Sequence, residues 1–186
     1  MLSVTYNQVV RARSNDFAIY FCMMQDNVTA AYLRLEEPAD APFLLEVYAS
    51  TRREELAATG WPAQMREAFL RMQFNAQRHG YRTAFPRAQF AIILSGGQAV
   101  GRIVIDRAED GFLLVDIALL PEHRGRGLGT ALVQNLLREA AAAGKPVRLS
   151  VLKGQRAFQF YQRLGFVKTG EDGLRDQMEW RGHPRA

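Results

Sequence analysis

With 186 residues, of which 48% are hydrophobic and 23% charged, the chain has the composition of an ordinary globular protein and the length of one domain with a real core. No stretch approaches the roughly 18 uninterrupted apolar residues of a membrane span, and the single cysteine, Cys22, excludes an intrachain disulfide and suits a reducing, cytoplasmic setting. The formal net charge of +5 suits a small polyanionic ligand as readily as nucleic acid.

Residues 1–28 read as an N-terminal extension. Two β-like runs, "SVTYNQVV" and "FAIYFCMM", flank the turn-prone "RARSND". An extra hairpin and an attached arm both fit, and no small-residue cleavage site marks the segment as a secretion signal. Residues 29–186 read as one mixed α/β domain. "AAYLRLEE" alternates as a strand. Asp40 is a candidate N-cap, and Pro42 sits in the first turn of the helix "FLLEVYASTRREELAA", which ends near Gly60. The next helix is "WPAQMREAFLRMQFNAQRHG", closed by Gly80. Its Met65, Phe69, Met72 and Ala76 recur at helical spacing, as a stripe packed in the core would. Seven arginines against three glutamates between 52 and 87 read as a solvated face with no nucleic-acid motif.

The period then changes. "QFAIIL" and "VGRIVIDR" are strands around the turn "SGGQA". "FLLVDIALL" is a nearly all-apolar third strand, expected to be central and covered on both faces. "TALVQNLLREAAAAGKP" is a helix closed by Gly144 and Pro146, and "VRLSVL" is a strand. "QRAFQFYQRLG" is a short helix, and "FVKTG" and "RDQMEW" form a last hairpin. The order is βααβββαβαββ. The helix between "FLLVDIALL" and "VRLSVL" makes a βαβ crossover, so those two strands run parallel in a central, largely antiparallel sheet with helices on both faces.

Between that third strand and its helix lies "LLPEHRGRGLGT", with Gly125, Gly127 and Gly129 where a helix should begin. Glycine costs helix stability, so the loop must offset that cost. A helix N-terminus carries unpaired N–H groups, and glycines let a phosphate approach them closely. The dinucleotide pattern GxGxxG fails at Thr130, and no acidic residue ends the next strand. The P-loop pattern GxxxxGK[ST] is absent. Three histidines and one cysteine, all scattered, offer no metal-ligand spacing.

Arg124-x-x-Gly127-x-Gly129 after an apolar strand and a proline resembles the pyrophosphate loop of the GCN5-related N-acetyltransferase superfamily. "RAFQFYQRLGF", residues 156–166, resembles its second signature, a helix ending Tyr-x-x-Leu-Gly-Phe, and "YLRLEEPADAPFLLEVY" its first strand and helix. The resemblance covers about residues 31–181 and implies the acyl-CoA acyltransferase fold of that family. It also implies acetyl-CoA as the acyl donor and direct transfer of the acetyl group to a primary amine of a small molecule or peptide. The donor would be held by Arg124, Gly125, Arg126, Gly127, Leu128, Gly129 and Thr130, with Gly154, Phe158 and Tyr161 along its arm. One departure stands out: the family often has Asn where this chain has Gly154, so that contact is lost or moves to backbone, with Gln155 as a substitute.

Transfer from a thioester needs a hydrogen-bond donor where negative charge develops. By resemblance this is a backbone N–H at Leu119 or Leu120. The leaving thiolate needs an acid, for which Tyr161 is the candidate; a half-buried packing role is its alternative. The amine must lose a proton. Asp116 interrupts the apolar "FLLV-IALL", where burial would raise its pKa. It reads either as that base, acting directly or through water, or as a buried acid paired with an arginine or a backbone N–H to hold the strand. Glu54 and Glu55 are alternatives on a solvated face. Tyr48, Trp61, Phe74, Tyr81 and Phe85 line an acceptor cleft or fill the core. The partners expected are acetyl-CoA and an amine acceptor, without nucleic acid or membrane; a homodimer is left open. An acetyl-CoA-binding sensor or interaction domain remains the alternative function.

Overall fold

In a computed structural model, residues 20–22 and 31–182 are described. "SVTYNQVV", "RARSND" and the boundary of the extension lie outside the described residues. From "FAIYFCMM", Tyr20–Cys22 form a short strand, β1, antiparallel to β2 (Ala31–Leu35). The order then runs α1 (Ala41–Ala57), α2 (Ala63–Ala84), β3 (Gln89–Ser95), β4 (Gln98–Ala108), β5 (Gly111–Leu119), α3 (Leu128–Ala142), β6 (Val147–Leu152), α4 (Arg156–Arg163), β7 (Val167–Glu171) and β8 (Arg175–Trp180). This is the expected βααβββαβαββ with β1 added. The eight strands form one sheet in the order β1-β2-β3-β4-β5-β6-β8-β7, antiparallel throughout except for β5 and β6, which run parallel.

The sheet divides two apolar clusters. α3 and α4 share the larger one. It holds Leu128, Leu132, Val133, Leu136 and Tyr161 with Ile103, Leu114, Val147 and Leu149. α1 and α2 build the smaller one from Leu44, Tyr48, Phe74 and Ile92. Strict alternation along β6 buries Val147, Leu149 and Val151 in the larger cluster and turns Arg148, Ser150 and Leu152 outward.

α2 departs from the sequence expectation twice. Gly80 lies inside the helix, which continues to Ala84. The extra turn is held because Tyr81 packs inward and Arg78 and Arg82 both donate to the buried Glu36 carboxylate at 2.7 Å. The inner face is therefore Leu70, Phe74, Gln77 and Tyr81, not the methionine stripe. Met65 and Met72 are more than half exposed, Ala76 is exposed, and Phe69 stacks edge-on against Trp61 at 5.3 Å. Both stripes have helical spacing, so periodicity alone could not choose between them. Asp40 does precede α1 but does not cap it through its side chain: the carboxylate takes two bonds from Arg34, at 2.7 and 3.0 Å, and one from the Glu37 amide.

β5 is central, but only its first half is well covered. Val115 is an extra residue opposite β4, since Val104 pairs with Asp116 while Ile105 pairs with Leu114. Such a bulge bends a strand and shifts its facing. Phe112 and Leu114 point into the larger cluster, and beyond the bulge Ile117 and Leu119 do so. Asp116 is thereby turned to the α1–α2 side. β5 also pairs with β6 at only two positions, Phe112 with Val147 and Leu113 with Arg148. Past them the two parallel strands part, and the rest of β5 is half-buried.

Candidate active site

The gap between β5 and β6 exposes backbone that an unbroken sheet would consume. The Leu120 amide donates to the Val100 carbonyl at 2.9 Å. Along an antiparallel strand, successive residues present N–H and C=O to opposite edges. The Leu119 and Ile117 amides therefore face away from β4, toward the gap. Of the two oxyanion donors expected from sequence, Leu120 is thus corrected: its N–H is committed to the sheet. The Leu119 carbonyl on the same edge accepts Arg124 Nε at 2.8 Å.

The loop that follows runs through a 3-10 turn, Pro121–His123, and an extended Arg124 into α3. Gly127 is the N-cap residue at φ 81°, a left-handed conformation that strains any residue with a Cβ. No side chain caps α3 and no acidic residue lies in its first turn. The first bond of the helix runs from the Ala131 amide to the Gly127 carbonyl at 3.0 Å. The amides of Leu128, Gly129 and Thr130 thus stand at the positive end of an uncapped helix, an arrangement suited to an anion.

Gly129 has an ordinary helical conformation, and a Cβ there would meet nothing closer than Leu119 Cδ1 at 3.9 Å. Among the described residues nothing demands glycine at that position. A ligand lying against the first turn would. Arg126 is exposed beside this turn. The Arg124 side chain, expected on the phosphates, is instead turned back: besides the Leu119 carbonyl it donates to the buried Ser50 Oγ of α1 at 3.0 Å. Gly125 is a positive-φ turn residue, as is Gly154 in the turn between β6 and α4. Gln155, the N-cap residue of α4, makes no side-chain cap.

α4 lines the other wall. Tyr161 is 7% exposed and stacks edge-on between Phe160 and Phe166, at 5.0 and 5.5 Å. Phe158 packs half-buried beside it. Burial, and secondarily the negative charge of Asp116, hold the Tyr161 phenol well above its ordinary pKa, so its hydroxyl is neutral.

Asp116 has the arginine partner that an acid in an apolar strand requires. Arg102 Nε lies 2.7 Å from its Oδ2, although the N–H is not aligned on that oxygen as a hydrogen bond. Sequence reading did not single out Arg102, because it sits in "VGRIVIDR" with only its own strand to give it context. Its guanidinium is 7% exposed, donates to Gln77 Oε1 of α2 at 2.5 Å, and lies 6.0 Å from the Tyr81 ring. Leu44, Phe74, Tyr81 and Arg102 line a crevice between α1, α2 and the sheet, and the Asp116 side chain, paired with Arg102, keeps 21% exposure. Lost solvation raises its carboxyl above the usual carboxylate range, and Arg102 and Arg175 only partly oppose that. Burial likewise raises the Tyr81 phenol.

The remaining candidates separate. Tyr48 and Phe74 are buried and pack against each other at 5.9 Å, whereas Trp61 is exposed. Glu54 and Glu55 are exposed at the end of α1, with Glu55 paired to Arg52 at 3.0 Å. Neither belongs to the crevice described here. No group of three or more metal-ligating side chains occurs among the described residues, and no helix among them is long and apolar enough to cross a membrane.

Residues 86–168 match the family described as "Acetyltransferase (GNAT) domain". Mycothiol acetyltransferase of Stackebrandtia nassauensis is 33% identical over 112 residues, covering 60% of this chain and 33% of that protein. Mouse N-acetyltransferase 8 is 32% identical over 99 residues, covering 49% and 43%. The L-amino acid N-acyltransferase MnaT of Escherichia coli is 34% identical over 70 residues, covering 35% and 41%. The chain thus spans less than half the length of these relatives. Among solved structures, the PaiA N-acetyltransferase of Thermoplasma acidophilum, in complex with coenzyme A, shares the fold at a TM-score of 0.63 and 19% identity, over 82% of this chain and 99% of that one. An acetyltransferase of Thermus thermophilus does so at 0.59 and 20%, over 81% and 96%. The matched stretch and the shared fold agree with the two sequence signatures: residues 86–168 are similar to the GNAT acetyltransferase domain, and the chain has the fold of solved acetyltransferases.

Proposed function

We propose that the protein transfers an acetyl group from acetyl-CoA to a primary amine of a small molecule or peptide by direct attack. The observation that carries this reading is the parting of β5 from β6 beside the uncapped glycine turn of α3. The first-turn amides and Arg126 suit a pyrophosphate, the open gap suits the pantetheine arm, and Phe158 and Tyr161 form its α4 wall. The thioester supplies an activated acyl carbon; every other part of the reaction falls to the chain itself. The Leu119 N–H, pre-oriented by strand geometry, faces the place where oxygen gains negative charge. Asp116, made more basic by burial, takes the proton that the amine sheds. Tyr161 keeps its proton because its pKa is raised, so it serves the departing sulfur as a hydrogen-bond donor held in place by its aromatic neighbours.

Two measurements test this. Acetyl-CoA at about 100 times its Kd should stabilise the fold by roughly 2.7 kcal/mol, or about 5–10 °C in Tm. No shift at millimolar acetyl-CoA would sink the reading, and amine-dependent release of free thiol then establishes turnover. Tyr161→Phe should lower kcat about tenfold, by loss of one hydrogen bond in the transition state, and leave acetyl-CoA affinity within about twofold. Unchanged kcat would remove Tyr161 from the chemistry.

A further inference from the structure

The β6–β8–β7 end of the sheet is rich in charge on both faces. Arg148 pairs with Asp110 and Glu179, each at 2.9 Å. Lys153 pairs with Glu171, Lys168 with Glu171 and Asp176, and Arg181 with Glu179. Among the described cations within β6, β7 and β8, Arg175 is the one without an ion pair. Its guanidinium has only Ser150 Oγ, at 3.3 Å, and no carboxylate partner.

Register shows where this charge stands. Arg175 pairs directly with Leu152, and Gln177 with Ser150. Directly paired residues share a face, so Arg175 lies on the face of β6 that carries Ser150, opposite the larger apolar cluster. That is the α1–α2 side, to which the Val115 bulge turns Asp116. β6 runs parallel to β5, starting level with Phe112. Leu152 and Arg175 therefore stand at the same end of the sheet as the second half of β5. The charge of Arg175 is felt at both Asp116 and Tyr81. Arg102 in direct contact, and Arg175 through its longer-range field, are thus the cations acting on the Asp116 carboxylate. Arg102 is already matched to Asp116 and Gln77, whereas Arg175 forms no ion pair: Asp172 feels its charge but is held by the Leu174 and Arg175 amides. An unmatched guanidinium at a substrate wall favours a carboxylate, which it can bind through two parallel N–H bonds.

We infer that the acceptor is an amine that itself bears a carboxylate, an amino acid or a molecule built like one, with its nitrogen at Asp116 and its acid group on Arg175. This rests on the acetyl-transfer reading and adds the acceptor class to it. Arg175 acts here as a specificity-determining residue that binds the part of the acceptor that does not react. Neither the donor loop nor the sulfur end of the site involves it.

The test uses the full chain. Acetyl-CoA binding is first measured by thermal shift. Thiol release is then followed with the common amino acids and, in parallel, with the amines made from them by decarboxylation. The expected result is a preference for the carboxylated member of at least one pair by about ten- to a hundredfold in kcat/KM, the range of a charge-assisted hydrogen bond. Arg175→Gln should abolish that preference, mainly through KM, while Arg175→Lys restores part of it. Because the side chain is exposed, neither variant should change the Tm or the acetyl-CoA shift. An enzyme that binds acetyl-CoA but prefers the decarboxylated amines overturns the inference and leaves acetyl transfer standing. So does one that turns over none of the carboxylated ones, or one indifferent to Arg175→Gln. Absence of any acetyl-CoA shift overturns both.

Discussion

Asparagine at position 116 should lower kcat by about a hundredfold or more, the usual contribution of a positioned proton acceptor, with acetyl-CoA affinity unchanged within about twofold. The carboxylate is active when ionised, so wild-type kcat/KM should climb as pH rises through the Asp116 pKa, which burial holds above the usual carboxylate range. Asp116→Asn should lose that limb. Stability gives an independent readout with a defined sign. Where the folded pKa exceeds the unfolded one, the folded state binds more protons, and stability falls as pH rises between the two values. Wild-type denaturation midpoints should therefore decline through this window, from about pH 4 upward, more steeply than those of Asp116→Asn. Identical pH profiles for both proteins, in activity and in stability, would show that Asp116 serves only to hold Arg102.

Alanine at position 101 should be among the most damaging small substitutions in the chain. Gly101 lies on β4 directly opposite Leu119. A Cβ there would run into the Ala118 carbonyl oxygen and come within 2.8 Å of Leu119 Cδ2. The obstacle is backbone, which cannot rotate away, so β4 and β5 would have to separate locally. We expect a loss of roughly 2–4 kcal/mol, at the upper end of overpacking costs. Activity should fall beyond what lost stability explains, because the displaced segment carries the Leu119 amide. Measuring kcat well below the lowered Tm separates the two effects. A variant with native Tm and native kcat would contradict the close approach.

Gly101 also shows how the sequence and the structure divide the information. A glycine within a strand pattern signals a bulge or a near neighbour, but not which neighbour, since that depends on a partner strand far along the chain. The order of elements, the parallel pair and the glycine turn before α3 were all readable, because each rests on local periodicity or on turn chemistry within a few residues. What could not be read depended on a choice between equivalent local options. α2 carries two stripes at helical spacing, and only docking on β3 and β4 selects Leu70, Phe74, Gln77 and Tyr81 over Met65 and Met72. Leu119 and Leu120 are alike in sequence, and only the bond to Val100 separates their amides. Asp116 was conspicuous as an acid among apolar residues, but the bulge at Val115 that turns it toward α1 and α2, and the arginine that meets it, are products of strand pairing.

Arg124 spans a boundary that the chemistry itself must cross. One guanidinium grips the end of β5 through the Leu119 carbonyl and grips α1 through Ser50. Ser50 is locked in turn, its hydroxyl donating to the Val47 carbonyl at 2.7 Å. The glycine turn that would receive the donor and the helix that would border the acceptor are thereby joined into one mechanical unit. Neither wall can open alone without breaking a hydrogen bond to the same side chain, so under the proposed reaction donor and acceptor would be gripped by one shared clasp.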